Sequence, residues 1–236
     1  MCSSDLDNTS MEKKGVHMIT VSAPKSVNTE QFNTIRTNIQ FSSADRKYKS
    51  LMITSSTMSE GKSTVAANLA VSFARQGSRV ILVDSDLRRP TINATFSIAS
   101  PTGLTNYLTD HDTKLQDIIY DTSISNLCVV PSGPVPPNPS ELITSKRMSA
   151  FIALLSEKSD VVLYDAPPVL SVTDAQILSR KVDGTILVVR ANKSEVDEVK
   201  ATVDLIEHVN GHIIGSVVND VKGSKNGYGY YGYYGK

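Results

Sequence analysis

Tryptophan is absent from the 236 residues, cysteine occurs twice, and charge shows no excess of either sign. Cys2 and Cys128 stand too far apart in sequence for a CxxC pair, and two thiols make no disulfide framework, so a reducing compartment is the default. Lys plus Arg number 24 and Asp plus Glu number 24, which argues against binding to nucleic acid or anionic lipid through bulk charge. No apolar run approaches the roughly 18 residues of a membrane span, and the N-terminus lacks the apolar core of a signal peptide. The expectation is a cytoplasmic chain that binds no nucleic acid and does not insert in a membrane. Any membrane contact would come through a partner.

What is present is the pattern of a globular α/β domain. Apolar residues make up 40% of the chain and charged residues 20%, ordinary values for a protein with a closed core. Residues 1–15 (MCSSDLDNTSMEKKG) are polar and aperiodic, and the segment to residue 18 is expected to be disordered. Residues 19–221 read as one domain and residues 222–236 as a tail. After Asn28, Phe32, Ile35 and Ile39 fall at helical spacing.

From residue 51 the chain changes to short apolar runs rich in Val and Ile, at 51–53, 80–83, 127–130, 161–163, 186–189 and 213–218. Runs of this kind suit strands buried on both faces, hence a mostly parallel sheet. Helix-length stretches lie between them, at about 63–76, 145–157, 173–182 and 194–209. Val65, Leu69 and Phe73 mark one face of the first, and Gly77 stops it. Strand and helix alternate as in a doubly wound fold. The stretch 131–139 (PSGPVPPNP) holds five of the ten prolines and reads as an ordered surface loop.

The segment LMITSSTMSEGKSTVAANLA orders an apolar strand, a loop of small residues, Gly61-Lys62-Ser63-Thr64 and a helix. Triphosphate binding needs those parts in that order. Amides at a helix N-terminus surround phosphate, a lysine adds a mobile cation, and a hydroxyl ligates Mg²⁺. Ser59, Glu60, Gly61, Lys62, Ser63 and Thr64 are therefore the candidate nucleotide-binding run, with ATP and Mg²⁺ as its cofactors. The first glycine of the usual GxxxxGK[ST] pattern is Ser56 here. Two further strands end in carboxylates, at Asp84-Ser85-Asp86 and at Asp165. In an open parallel sheet such strand ends border the ligand crevice, where acids hold Mg²⁺ and accept a proton from an attacking hydroxyl.

SEGKST, ILVDSDLRRP and VVLYDAPP together resemble the Walker A, A′ and B elements of the bacterial tyrosine kinases of capsule and exopolysaccharide synthesis. These enzymes are relatives of the deviant Walker A, MinD-like ATPases with a P-loop fold. NPSEL at 138–142 and SVTDA at 171–175 also match stretches of that family, and the likeness covers about residues 20–236. The resemblance implies a protein-tyrosine kinase in which Lys62 sits on the β/γ-phosphates, Ser63 ligates the metal and Asp84 orients or deprotonates the incoming tyrosine. Asp86 and Asp165 would hold metal-bound water. Asn219 is an adenine contact by analogy, and equally a strand-end turn former.

The family's ExxRxxR helix, used for ring-like self-association, reads here from Glu30 to Arg36 with Asn33 in place of the first arginine. Glu30 and Arg36 are thus candidates for an oligomer interface, and otherwise a solvated helix face. Many relatives have Pro-Gly where this chain has Met58-Ser59. A membrane-anchored activator or chain-length determinant is the implied partner, which would hold the enzyme at the inner face of the membrane.

The last 15 residues carry five of the nine tyrosines, Tyr228, Tyr230, Tyr231, Tyr233 and Tyr234, with five glycines, three lysines and no acid. Glycine at this density prevents a packed element, so these tyrosines are not core residues. By resemblance they form the cluster that the kinase phosphorylates on itself, in trans between subunits; on composition alone they are a sticky low-complexity tail. Rival readings are a partitioning or division-site ATPase of the ParA/MinD type and a regulatory nucleotide-binding module without turnover. The membrane-binding rivals end in an amphipathic helix, which the glycine-tyrosine tail cannot form.

Overall fold

The computed structural model describes residues 15–42, 47–99 and 101–221. A seven-stranded sheet has the order β3-β4-β2-β5-β1-β6-β7. Its strands are β1 (Ser50–Ser55), β2 (Val80–Asp84), β3 (Tyr120–Asp121), β4 (Leu127–Val130), β5 (Val161–Asp165), β6 (Gly184–Arg190) and β7 (Ile213–Asn219). Every pairing is parallel except that of the two-residue edge strand β3 with β4. The longer helices are α2 (Val27–Phe41), α3 (Lys62–Arg75), α7 (Lys146–Lys158) and α9 (Val196–His208). Shorter turns of helix are α1 (Ile19–Ser22), α4 (Ile92–Thr95), α5 (Leu104–Thr109), α6 (Pro139–Thr144) and α8 (Asp174–Ser179).

The central strands β1, β2 and β5 are buried at every residue, which is why their sequences are continuous apolar runs rather than alternating ones. Successive side chains still divide between two cores. Leu51, Ile53, Val80 and Leu82 pack with Val65, Leu69 and Phe73 of α3, whereas Met52, Ile81 and Val83 pack with Met148, Phe151 and Leu155 of α7. The mostly parallel, doubly wound arrangement expected from the sequence is the one observed.

Helix α3 is buried on more than one face, because α1 and α2 cover its outer side. Its polar residues are consumed inside. Asn68 accepts from the Thr20 amide and hydroxyl and donates to the carbonyls of His17 and Thr64. Residues 15–18, grouped by sequence with the polar N-terminal segment, lie against this layer: the Val16 amide donates to Thr95 Oγ1 at 3.0 Å, and Val16 and Met18 pack on the α3-side core. The proline stretch 131–139 is an irregular connection as expected. Pro131, Pro136 and Pro139 are nevertheless buried, and Pro139 opens α6 at its first position.

Candidate active site

β1 delivers the chain into the loop 56–61, and α3 begins at Lys62. Ser59 and Gly61 both take left-handed backbone, with φ of 63° and 98°. A Cβ at Gly61 would stand 2.0 Å from Asn219 Nδ2, so any other residue would displace that amide from the loop and strain the left-handed backbone. The carbonyls of five successive loop residues are each held. Ser55 Oγ donates to Thr57 O at 2.7 Å, Lys193 Nζ to Met58 O at 2.9 Å, Arg190 Nη1 to Ser59 O at 3.1 Å and Asn219 Nδ2 to Glu60 O at 3.0 Å; Gly61 O starts the α3 ladder with Val65 N at 2.9 Å. In a trans peptide the next amide points opposite to the carbonyl, so holding these five carbonyls also fixes the directions of the amides of residues 58–62, the loop that would meet phosphate.

Glu60 is a loop brace. Its side chain is wholly buried, accepting from the Thr57 amide at 3.0 Å and from the Ser194 hydroxyl. Only its backbone remains to meet a phosphate.

Asp84, Asp86 and Asp165 converge at the carboxyl ends of β2 and β5, next to the loop. Lys62 Nζ lies 2.9 Å from Asp86 Oδ2, 3.5 Å from Asp165 Oδ1 and 3.3 Å from Ser63 Oγ. Burial alone would lower the pKa of this ammonium, but the carboxylates of Asp165 and Asp86 override it and hold the pKa above the ordinary lysine value. Asp84 Oδ2 accepts from the amides of Thr91 and Ile92 at 2.8 and 2.9 Å. Its Oδ1 is buried without a hydrogen-bond partner among the described residues. Burial first, and then the neighbouring Asp165 charge, push the Asp84 carboxyl up to about 7. Burial also raises Asp165, against the pull of Lys62.

These residues fit a magnesium-bound nucleotide. An orphaned carboxylate oxygen, a serine hydroxyl and a mobile cation stand where phosphate and metal would meet. Among the described residues no three or more His, Cys, Asp or Glu form a metal cage. Mg²⁺ needs none, since one or two carboxylates suffice when phosphate and water supply the rest.

Beside the loop lies an open pocket of about 410 Å³ lined by Ser59, Gly61, Thr64, Arg190, Asn219 and Asp220. Asn219 is thus at the site, and its amide is spent on the loop backbone. Sequence reading passed over Arg190, Lys193, Ser194 and Asp220. They sit at the end of β6, in the turn that follows it and just after β7, with no motif to single them out. A second omission has a sequence signal after all. Arg88 of the A′ stretch, Ser140 of NPSEL and Asp174 of SVTDA meet, with Arg88 Nε 2.9 Å from Asp174 Oδ2 and Ser140 Oγ 2.5 Å from Asp174 Oδ1.

Glu30 and Arg36 lie on α2, away from this cluster. Glu30 is exposed, while Arg36 reaches across to α3, donating to Ser72 O at 3.1 Å and to Asn33 Oδ1 at 3.2 Å. Asn33 also accepts from Ser72 Oγ at 2.8 Å, so the residue in place of an arginine fastens α2 to its own domain. The five tail tyrosines lie outside the described residues.

Loop, paired strand-end acids and sheet order define a P-loop nucleotide-binding domain. Consistent with this, the family described as an AAA domain matches residues 48–217. Tyrosine-protein kinase YwqD of Bacillus subtilis (strain 168) is 43% identical over 217 residues, covering 92% of this chain and 91% of that one. The crystal structure of the chimerical protein CapA2B2 superposes with a TM-score of 0.83 at 39% identity, over 88% of this chain and 92% of that one. The septum site-determining protein MinD of Pyrococcus horikoshii OT3, complexed with Mg-ADP, is more distant, with a TM-score of 0.62 at 26% identity over 72% of this chain and 69% of its own. The chain belongs to the bacterial tyrosine-protein kinases, and its activity is the phosphorylation of protein tyrosine.

Proposed function

We propose that this kinase phosphorylates its own C-terminal tyrosine cluster, in trans between subunits, and that the cycle regulates capsular or exopolysaccharide synthesis and export. The observation that carries the reading is the meeting of Lys62 with Asp86 and Asp165, and of Asp84 with the same crevice, in a chain whose last 15 residues hold five tyrosines. β7 ends at Asn219 on the rim of the loop pocket, so the chain departs toward its tail beside the site.

In this reading the loop amides of residues 59–64 bind the phosphates of ATP, and Lys62 leaves its carboxylates to follow the β/γ-phosphates. Ser63, Asp86 and Asp165 would hold Mg²⁺ directly or through its water, and that ion would supply charge neutralisation for phosphoryl transfer. Asp84 accepts a hydrogen bond from the tyrosine hydroxyl and orients it. A tyrosine pKa near 10 makes full deprotonation by a carboxylate unfavourable, so orientation and charge neutralisation dominate over base strength. Asn219 borders the base. A glycine-jointed tail raises the effective concentration of its hydroxyls at a neighbouring site.

Each phosphate adds roughly −1.5 to −2 charges. Three or more would turn the tail's formal +3 negative and loosen subunits joined near it. Glu30, exposed on α2, is the candidate to meet a neighbouring subunit in a ring, with Arg36 holding the helix that presents it. Among the described residues no helix is long and apolar enough to cross a membrane, so a membrane-anchored activator is the proposed route to the inner face.

Mixing two variants tests the central claim. An all-Phe tail variant supplies an active site without acceptors, and Lys62→Met supplies tail tyrosines without a working site. With the activator segment present, phosphotyrosine should accumulate on the Lys62→Met chain. Its absence there, with the wild-type chain labelling normally, would exclude transfer in trans.

A further inference from the structure

Three of the five carbonyl bonds that shape the phosphate loop come from residues distant in sequence, at the end of β6, in the turn after it and at the end of β7. Lys193 Nζ contributes most, lying 2.9 Å from Met58 O and 3.4 Å from Ser59 O. Those two carbonyls belong to the peptides whose amides are Ser59 and Glu60, and Ser59 is held with a φ of 63°, left-handed backbone that a side chain disfavours. Left alone, this stretch would relax toward ordinary backbone and lose the fixed directions of its amides. The same turn places Ser194 Oγ on the buried Glu60 carboxylate and accepts the Arg190 amide on that oxygen at 2.8 Å, so turn and loop are joined at several points.

We infer that Lys193 is a positioning residue of the phosphate loop. It sets nucleotide affinity by fixing the peptides at 58–60, and it takes no part in the transfer of the phosphoryl group. The inference rests on the phosphate-loop reading and not on the tail.

The test uses the full chain and Mg·ADP as probe, so that no turnover intrudes. Lys193→Met should raise the dissociation constant about tenfold, the loss expected for a charge-assisted hydrogen bond to a backbone carbonyl. Because the side chain is exposed, the melting temperature without nucleotide should not move. Lys193→Arg should restore most of the affinity, since a guanidinium also donates to carbonyls. In tyrosine phosphorylation the KM for ATP should rise with kcat at saturation retained. An unchanged dissociation constant in Lys193→Met would overturn the inference. So would a variant-to-wild-type ratio that collapses toward one as salt is raised, because that is the mark of long-range attraction. A fall in the nucleotide-free melting temperature would reassign Lys193 to folding alone. Lys193-dependent binding in a protein that labels no tail tyrosine would leave this inference standing while the autophosphorylation reading fell.

Discussion

Asp84 and Asp165 end adjacent parallel strands as direct register partners, both buried, and one lysine ammonium faces the pair. Asp86 shares the same ammonium, so three carboxylates and one cation in this buried cluster leave an excess of negative charge. The fold tolerates it by keeping a proton on the pair more readily than water would.

The first prediction follows from that excess. The folded pKa of Asp84, about 7, stands above its ordinary 3.8, so the folded state binds the extra proton between those values. Stability contributed by the neutral carboxyl is present below about pH 4 and is lost as pH rises through about 7. Asp84→Asn keeps an acceptor for the Thr91 and Ile92 amides and removes the titration. The variant should match the wild type in urea unfolding near pH 4 and exceed it by on the order of 2 kcal/mol near pH 8. Tyrosine phosphorylation should be lost in the same variant. A stability gap independent of pH would place the Asp84 charge elsewhere than in this pair.

Lys62→Met should behave in the opposite sense. Removing the ammonium strands Asp86 and Asp165, so the folded state should lose roughly 1–3 kcal/mol at neutral pH, limited by protonation of Asp165. The deficit should grow with pH as that proton becomes harder to keep. Circular dichroism should show the fold retained and phosphotyrosine should be absent. Persistent phosphotyrosine would overturn the role given to Lys62.

Much of this is legible in the amino-acid sequence. The runs at 51–53, 80–83 and 161–163 read as buried parallel strands because nothing but a covered sheet accommodates apolar residues on both faces, and β1, β2 and β5 are covered. The acids at 84, 86 and 165 were legible because they follow such strands. Arg190, Lys193 and Ser194 were not, since they act on a loop more than 130 positions away: Arg190 and Lys193 bond its backbone carbonyls, which demand no residue type in the partner, and Ser194 bonds the Glu60 carboxylate with no sequence motif linking the two. Burial of α3 on its outer side was equally hidden, because nothing in the sequence ties polar Asn68 and Ser72 to the α1 and α2 residues that cover them.

Replacing all five tail tyrosines with phenylalanine should leave Mg·ADP binding unchanged, as no residue of the loop or the carboxylate cluster is altered. Autophosphorylation should fall to a small residue of the wild-type level, read by mass spectrometry of tryptic peptides. Main phosphosites at Tyr48, Tyr107 or Tyr120 would remove the tail from the account.

The Arg88–Asp174 pair offers a test of unequal partners. Asp174 is 1% exposed at its side chain and Arg88 is 40% exposed, so the two truncations strand different charges. Asp174→Ala leaves a guanidinium that can turn to water, at a cost of roughly 1 kcal/mol. Arg88→Ala leaves a buried carboxylate with Ser140 as its remaining side-chain donor, at a cost of roughly 2–4 kcal/mol. In urea unfolding near pH 7 the arginine variant should therefore be the weaker of the two. Arg88 follows Asp86 by two positions, and Arg89 donates its amide to Asp86 Oδ1 at 3.0 Å, so loosening this anchor should also slow tyrosine phosphorylation, with kcat reduced about tenfold. Equal costs for the two variants would mean that Asp174 is solvated in solution. The A′ segment would then need another anchor to keep Asp86 facing Lys62.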